Sequence, residues 1–370
     1  MTGRPAWAEV SLATLRENFR AIRRHVGPGV EVVGVLKANA YGHGAEAVAR
    51  ALAAEGAAWF GVTSAAEALP LRRAGLSQPV LLFSGFWPGE EELLADHGLV
   101  PFLFDVGQLD RLEDYGRRHD KSLPFHLKID TGMGRLGLDP AELPAFLEAL
   151  GRCRHARLEG LCTHFASADE AGGEQTRRQI ERFGGARRQV QQQGFHPRWL
   201  HMANSAGLAR FPESHGTMVR PGIALYGYQS WASPPAVKPV LALKSRVMSV
   251  RAMPAGAPLG YGATYVTAAA ARIAAVPTGY ADGLPRLLSS RGRALVRGCA
   301  VPIVGRVSMD LTLLDVTAVP GVQPGDPVVF VGRQGQAEIT ADEPARLAGT
   351  VPYEILCGIG VRLPRLYVES

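Results

Sequence analysis

The chain has 370 residues, 46% of them hydrophobic and 20% charged, enough to bury a large core and to form two domains. Its net charge of +6 is modest, and arginines such as Arg20, Arg23, Arg24, Arg177 and Arg178 fall on helical stretches without interleaved aromatics, which argues against a nucleic-acid surface. Cys153, Cys162, Cys299 and Cys357 have neither CxxC nor zinc spacing and read as reduced thiols of a cytoplasmic protein, with no metal site and no signal or membrane-spanning segment expected.

Taken in order, a short segment Trp7 to Val10 precedes Ser11, a cap for a helix whose Leu12, Leu15, Phe19 and Ile22 recur at helical spacing. The apolar run from Val32 is read as a strand buried on both faces, ending at Lys37. Helix and strand then alternate. Strands are expected at Trp59 to Thr63, Val80 to Ser84, Pro101 to Phe104, Phe125 to Asp130, Leu158 to Phe165, Trp199 to Ala203 and Met218 to Tyr226, with helices between them. Eight strands alternating with helices match a closed (β/α)8 TIM-type barrel of the α/β class, with a doubly wound open sheet as the lesser alternative. Around Gln229 to Pro239 the composition changes to a linker. Short β-rich runs follow from Leu241, and only Ala341 to Ala348 reads as helical. The expected division is a barrel over residues 1–230 and a mainly antiparallel β domain over 231–370.

Parallel α/β folds collect ligands at the carboxyl ends of their strands, where Lys37 is placed. The only lysines are Lys37, Lys121, Lys128, Lys238 and Lys244. Where arginine supplies nearly all the basic residues, a lysine at a strand end points to chemistry arginine cannot perform, such as imine formation or proton release. In FHLKID, His126, Lys128 and Asp130 share a face, with Arg135 in the loop beyond. Two cations in a poorly solvated place conflict. An ion pair of Lys128 with Asp130 or another acid is the simpler resolution, and neutralisation or conversion to a carbamate is the other. His164 and His201 stand at the next strand ends. Asn204 and Ser205 begin a helix whose free N–H groups suit a phosphate, and Arg220 precedes Pro221 and Gly222, where a ligand can approach the backbone. A nucleophilic lysine, a phosphate cradle and no dinucleotide fingerprint suggest pyridoxal 5′-phosphate, although an aldolase-type barrel shares those features. Tyr261, Tyr280 and Tyr353 lie in glycine-rich or turn-rich segments of the second half.

The motifs KANAYGHG, KIDTGMGRLG, THFASADE, HMANSAG, VRPGIALYG, GYGATY, GYADGLPR, GRVSMD and YEILCGIG, in this order and over nearly the whole chain, resemble the alanine racemases. The resemblance implies a homodimeric, PLP-dependent isomerase with shared active sites, supplying D-alanine for peptidoglycan. It implies that Lys37 holds the cofactor as an imine and that Tyr41, Ser205 and Tyr353 with the backbone of Gly222 and Ile223 bind its phosphate, with Asn204 also among the cofactor-binding residues. Arg220 is implied to face the pyridine nitrogen, with His164 by the ring. Arg135 is implied to reach the phenolic oxygen, and Lys128 to match a lysine carbamylated in many members. Lys37 and Tyr261, the latter from the other subunit, are the implied bases, with Met309 near the substrate carboxylate and Tyr280 as a gate. Arginine at the ring nitrogen keeps it neutral and argues against decarboxylases of the same barrel type. Ser308 stands where many relatives have Cys, and Leu311 where Gln is common, which bears on substrate breadth. A serine or broad-specificity racemase, or a non-catalytic PLP carrier, are the competing expectations; the carrier would need neither the β domain nor Tyr261.

Overall fold

The computed structural model describes residues 4–229 and 234–369, so residues 230–233 of the expected linker lie outside the described residues. The chain forms two compact units. The first strand, Ala6–Ser11 (β1), belongs to the same unit as the C-terminal part of the chain, and residues 15–40 and 45–238 form the other.

The larger unit is built on eight parallel strands: Glu31–Val35 (β2), Trp59–Val62 (β3), Val80–Leu82 (β4), Leu99–Leu103 (β5), Leu123–Lys128 (β6), Ala156–Cys162 (β7), Trp199–His201 (β8) and Met218–Val219 (β9). Each pairs with its predecessor from β3 to β8, and β9 turns back onto β2, with Glu31 opposite Met218. The seam between β8 and β9 is held by separate bonds, Thr217 N to Leu200 O at 2.9 Å and Arg220 N to Ala203 O at 2.9 Å. The result is a nearly closed barrel with its helices around it, as the alternation predicts. β3, β4 and β5 are buried at every position, the condition of strands covered on both faces. The helix Leu12–Val26 buries Leu15, Phe19, Ile22 and Val26, and Ser11 Oγ accepts from Thr14 N at 3.1 Å as the cap. Between the strands and the helix Leu143–Arg152, Phe125 is fully buried with its ring 6.3 Å from that of Phe146, a burial that stabilises by about 1.5–3 kcal/mol. The pairing of β6 with β7 sets His126 opposite Gly160. A Cβ at Gly160 would lie 2.5 Å from the His126 ring, so the absent side chain is what admits that ring.

The second unit centres on a seven-stranded sheet in which β1 lies between Leu241–Arg246 (β10), antiparallel, and Arg365–Val368, parallel. A separate three-stranded antiparallel sheet joins Ser249–Met253, Ala271–Val276 and Thr312–Asp315. The domain is mainly sheet, as expected. Helix is not confined to the stretch expected, however, because Pro352–Cys357 forms a second turn of helix beside Asp342–Ala348. Six residues are too few to display an amphipathic period, and Pro352 at the first helical position is the only local signal. Among the described residues no helix is long and apolar enough to cross a membrane.

Candidate active site

β2 ends at Val35, two residues before the strand end read from the sequence, because the backbone changes hand. Ala38, Asn39, Ala40 and Tyr41 have φ of 51°, 53°, 55° and 53°. This is a turn of left-handed helix without a glycine, a conformation disfavoured by about 1–2 kcal/mol per residue. Its partners explain how it is held. Glu67 accepts from Ala38 N with one oxygen and from Thr63 N with the other, both at 2.7 Å, Ala40 N donates to Leu36 O at 2.7 Å, and Asn39 Oδ1 accepts from Ala45 N at 2.8 Å. Ser64 and Glu67 have the spacing of a capping box, but no side-chain cap bond forms at Ser64, and the carboxylate instead ties the turn carrying Lys37 to the end of β3.

Lys128, the last residue of β6, is only 6% exposed. The ion pair with Asp130 expected as the simpler case does not form. The Asp130 carboxylate is taken up by the N–H groups of Gly132, Met133 and Gly134, each at 2.8 Å, and among the described residues no carboxylate reaches Lys128. Burial pulls the Lys128 ammonium below its ordinary value, and the nearby Arg220 and Arg135 push the same way against Cys162 and Asp130. His164 is pulled well below its ordinary value by burial and by Arg220, Lys128, Arg135 and Lys37 together. Lys37, Lys128, Arg135 and Arg220 thus act on one imidazole, which is held neutral.

Arg220 is buried and fixed from several sides. Its guanidinium donates to His201 Nδ1 at 2.5 Å, His201 O at 3.0 Å, Thr163 O at 2.6 Å and Met202 O at 3.2 Å. An arginine only donates, so His201 Nδ1 accepts and its proton resides on Nε2. That Nε2–H donates to His126 Nδ1 at 2.8 Å, which places the His126 proton on its own buried Nε2. Burial and Arg220 hold His126 down at about 3 and His201 well below its ordinary value, so both rings stay neutral. The role of His201 in orienting Arg220 has no sequence signal beyond two histidines on neighbouring strands.

Asn204 caps the helix Ser205–Arg210, accepting from Gly207 N at 2.9 Å. Ser205 Oγ accepts from Gly222 N at 2.9 Å and Ala224 N at 3.2 Å, so the loop through Gly222 and Ile223 wraps this hydroxyl, whose hydrogen remains available to donate. The structure therefore brings Asn204, Ser205, Gly222 and Ile223 together. In the second unit, the rings of Tyr41 and Tyr353 lie 6.0 Å apart. Tyr280 and Met309 stand on adjoining turns, with Tyr280 N donating to Ser308 O at 3.0 Å and Ala281 N to Met309 O at 3.1 Å. Tyr261 begins a turn between Gly260 and Gly262, both at positive φ, and is 71% exposed.

The family model described as alanine racemase, N-terminal domain matches residues 10–230, and that described as alanine racemase, C-terminal domain matches residues 240–367. The chain belongs to the alanine racemase family. The alanine racemase of Symbiobacterium thermophilum is 46% identical over 367 residues, covering 98% of this chain and 97% of that one. Among solved alanine racemases, that of D-cycloserine-producing Streptomyces lavendulae is 34% identical with a TM-score of 0.93, covering 100% of this chain and 98% of its own. The alanine racemase of Bartonella henselae with covalently bound pyridoxal phosphate is 31% identical with a TM-score of 0.90, covering 99% and 100%. This family membership accounts for the fold and makes the chain an isomerase.

Proposed function

We propose that the chain interconverts L- and D-alanine with pyridoxal 5′-phosphate by a two-base mechanism, as a homodimer with shared sites, supplying D-alanine for peptidoglycan in the cytoplasm. Most of the cofactor-holding residues lie within 1–230, joined by Tyr353, and the remaining substrate-site residues lie within 231–370. The observation that carries this reading is the buried Arg220 guanidinium fixed by His201, Thr163 and Met202 in the same barrel as the Ser205 hydroxyl wrapped by Gly222 N and Ala224 N, with the Asp130 carboxylate capped by backbone N–H groups. Such a donor set fits a multiply charged anion, and a buried arginine that only donates fits an unprotonated ring nitrogen.

Lys37 would hold the cofactor, Ser205, Gly222, Ile223, Asn204, Tyr41 and Tyr353 its phosphate, and Arg220 its ring nitrogen. Bound there, pyridoxal phosphate supplies an electron-withdrawing group that acidifies the α C–H of an amino acid. His201 keeps Arg220 in one orientation, and His164 lines the ring without adding charge. Lys37 Nζ holds and moves the proton on one face of the α carbon, serving the D enantiomer. Tyr261 of the partner subunit does so at its phenolic oxygen on the opposite face, serving the L enantiomer. Met309 borders the substrate carboxylate, and Tyr280 gates the entrance. Lys128, buried near Arg135 and Arg220 with no carboxylate paired to it among the described residues, suits reaction of its neutral amine with carbon dioxide, forming an N–C bond and releasing one proton. The resulting carbamate gives Arg135 an anionic partner.

The test is racemisation of each alanine enantiomer by the PLP-loaded protein, followed by circular dichroism, with α-proton exchange measured in D2O. Turnover in both directions with exchange is expected. A PLP-loaded dimer that leaves alanine unchanged would overturn the reading and favour a non-catalytic carrier.

A further inference from the structure

Asp282 is fully buried in the second unit, yet it carries more charged partners than any role assigned so far requires. Arg4 binds it through both nitrogens, at 2.8 and 2.7 Å, and Arg362 Nε donates to it at 2.7 Å. Its other oxygen accepts from Gly279 N at 2.8 Å. Both arginines also reach the turn that bears Met309. Arg4 donates to Asp310 O at 2.5 Å, while Arg362 donates to the Asp310 carboxylate at 2.8 Å and to Met309 O at 3.3 Å. The Met309 turn is itself closed by Ser308 N donating to Leu311 O at 2.9 Å.

Packing around this quartet leaves little slack. A Cβ at Gly279 would lie 2.3 Å from Ser308 O and 2.4 Å from Met309 O, and a Cβ at Gly283 would lie 2.4 Å from Gly358 O. Three turns therefore meet backbone to backbone: one carries Tyr280, one carries Met309, and one leads from the Tyr353 helix to Arg362. Two guanidinium groups against two carboxylates balance in charge, so the buried carboxylate is fully compensated. Tyr280 and Met309 nevertheless remain 42% and 52% exposed, their backbones fixed and their side chains free to meet a ligand.

We propose that Arg4, Asp282 and Arg362 form a clamp of positioning residues that sets the spacing between Tyr280 and Met309 and thereby the size of the side chain that passes the Tyr280 gate. This deepens the racemase reading and rests on it for the roles of Tyr280 and Met309. Arg4 links segments of the chain distant in sequence, so loosening one surface side chain relaxes both turns at once. Bidentate geometry matters here, because a lysine retains the charge but cannot span both carboxylate oxygens and Asp310 O.

The experiment compares wild type with Arg4→Ala, Arg4→Lys and Arg362→Ala as PLP-loaded full-length proteins. It records kcat and KM for L-alanine and L-serine, and hydrogen exchange at the amides of Tyr280 and Ala281. Arg4→Ala is expected to raise KM for alanine about three- to tenfold with kcat falling less, to lower the alanine-to-serine ratio of kcat/KM at least about threefold, and to speed amide exchange at both positions. Arg4→Lys should fall between wild type and Arg4→Ala. A merely structural contact would lower the melting temperature and leave the substrate ratio unchanged. That result in both alanine variants, with wild type active on alanine, overturns the clamp alone. Inactive wild type overturns the racemase reading instead, and unchanged amide exchange in both variants then overturns the clamp by itself.

Discussion

Removing the Glu67 carboxylate should disable catalysis from a distance, because it releases the left-handed turn that carries Lys37. Four non-glycine residues in that conformation cost about 4–8 kcal/mol. Two hydrogen bonds to an ionised carboxylate, at 2.7 Å each, contribute about 3–6 kcal/mol before solvent competition. Because both lie at an exposed edge, water replaces much of each, and Glu67→Ala is expected to shift the turn's local equilibrium by about 1–2 kcal/mol. A shift of about 1.4 kcal/mol is a factor of about ten in the equilibrium constant between held and released turn. The predicted outcome is a kcat reduced by up to about tenfold, with KM changed less and cofactor retained but its bound absorbance altered. Glu67→Gln keeps one acceptor and should lose about half that effect on the logarithmic scale. Alanine racemisation and the bound-cofactor spectrum, measured on the same preparations, provide the assay. Wild-type kcat and spectrum in Glu67→Ala would refute the claim that this carboxylate holds the turn.

Glu113 provides a pH-dependent counterpart. Burial pushes its carboxyl up, but His155 and the backbone N–H groups of Ala156, Arg154 and His155 hold it down at about 2 against an ordinary 4.5. A depressed carboxyl stabilises the fold above its unfolded value, and that stability is lost as pH falls from about 4.5 towards about 2. After discounting for solvent screening, Glu113→Gln should be less stable by about 1–2 kcal/mol at neutral pH. Denaturant unfolding should show the gap narrowing at pH about 3; a gap independent of pH contradicts the assignment. Gly160→Ala places a Cβ 2.5 Å from the His126 ring, so it should cost about 1–3 kcal/mol by overpacking and, through His201, loosen Arg220. A lowered melting temperature with an altered bound-cofactor spectrum is expected, and a spectrum unchanged despite destabilisation would break the proposed link.

Much of the barrel was legible because its information is local. Apolar runs of strand length alternate with helical periodicity, and a strand forms at each of the eight expected places, but the last is only Met218–Val219, and Ile223–Tyr226, expected to continue it, winds into a turn of 3-10 helix after Pro221 and Gly222. The place of β1 was not legible, since pairing with β10 and the strand Arg365–Val368 depends on residues more than two hundred positions away. At the candidate site, residue types were readable but their partners were not. Lys128 and Asp130 looked complementary on one strand face, yet the loop amides of Gly132 to Gly134 offered the carboxylate nearer donors. Glu67 stands at capping-box spacing from Ser64, and only the fold reveals that its carboxylate goes to Ala38 N and Thr63 N instead. Asp282 stood in a motif beside Tyr280, whereas its charge partners Arg4 and Arg362 come from opposite ends of the chain.

The central claim, a site divided between two subunits, is tested most directly by mixing Lys37→Ala and Tyr261→Phe proteins that are each inactive, after dissociating and reassociating them. If Tyr261 serves the neighbouring subunit's Lys37, each mixed dimer carries one intact site, and an equal mixture should regain about a quarter of wild-type turnover. No recovery, with mixed dimers verified by mass, would place both bases in the same chain and contradict the account.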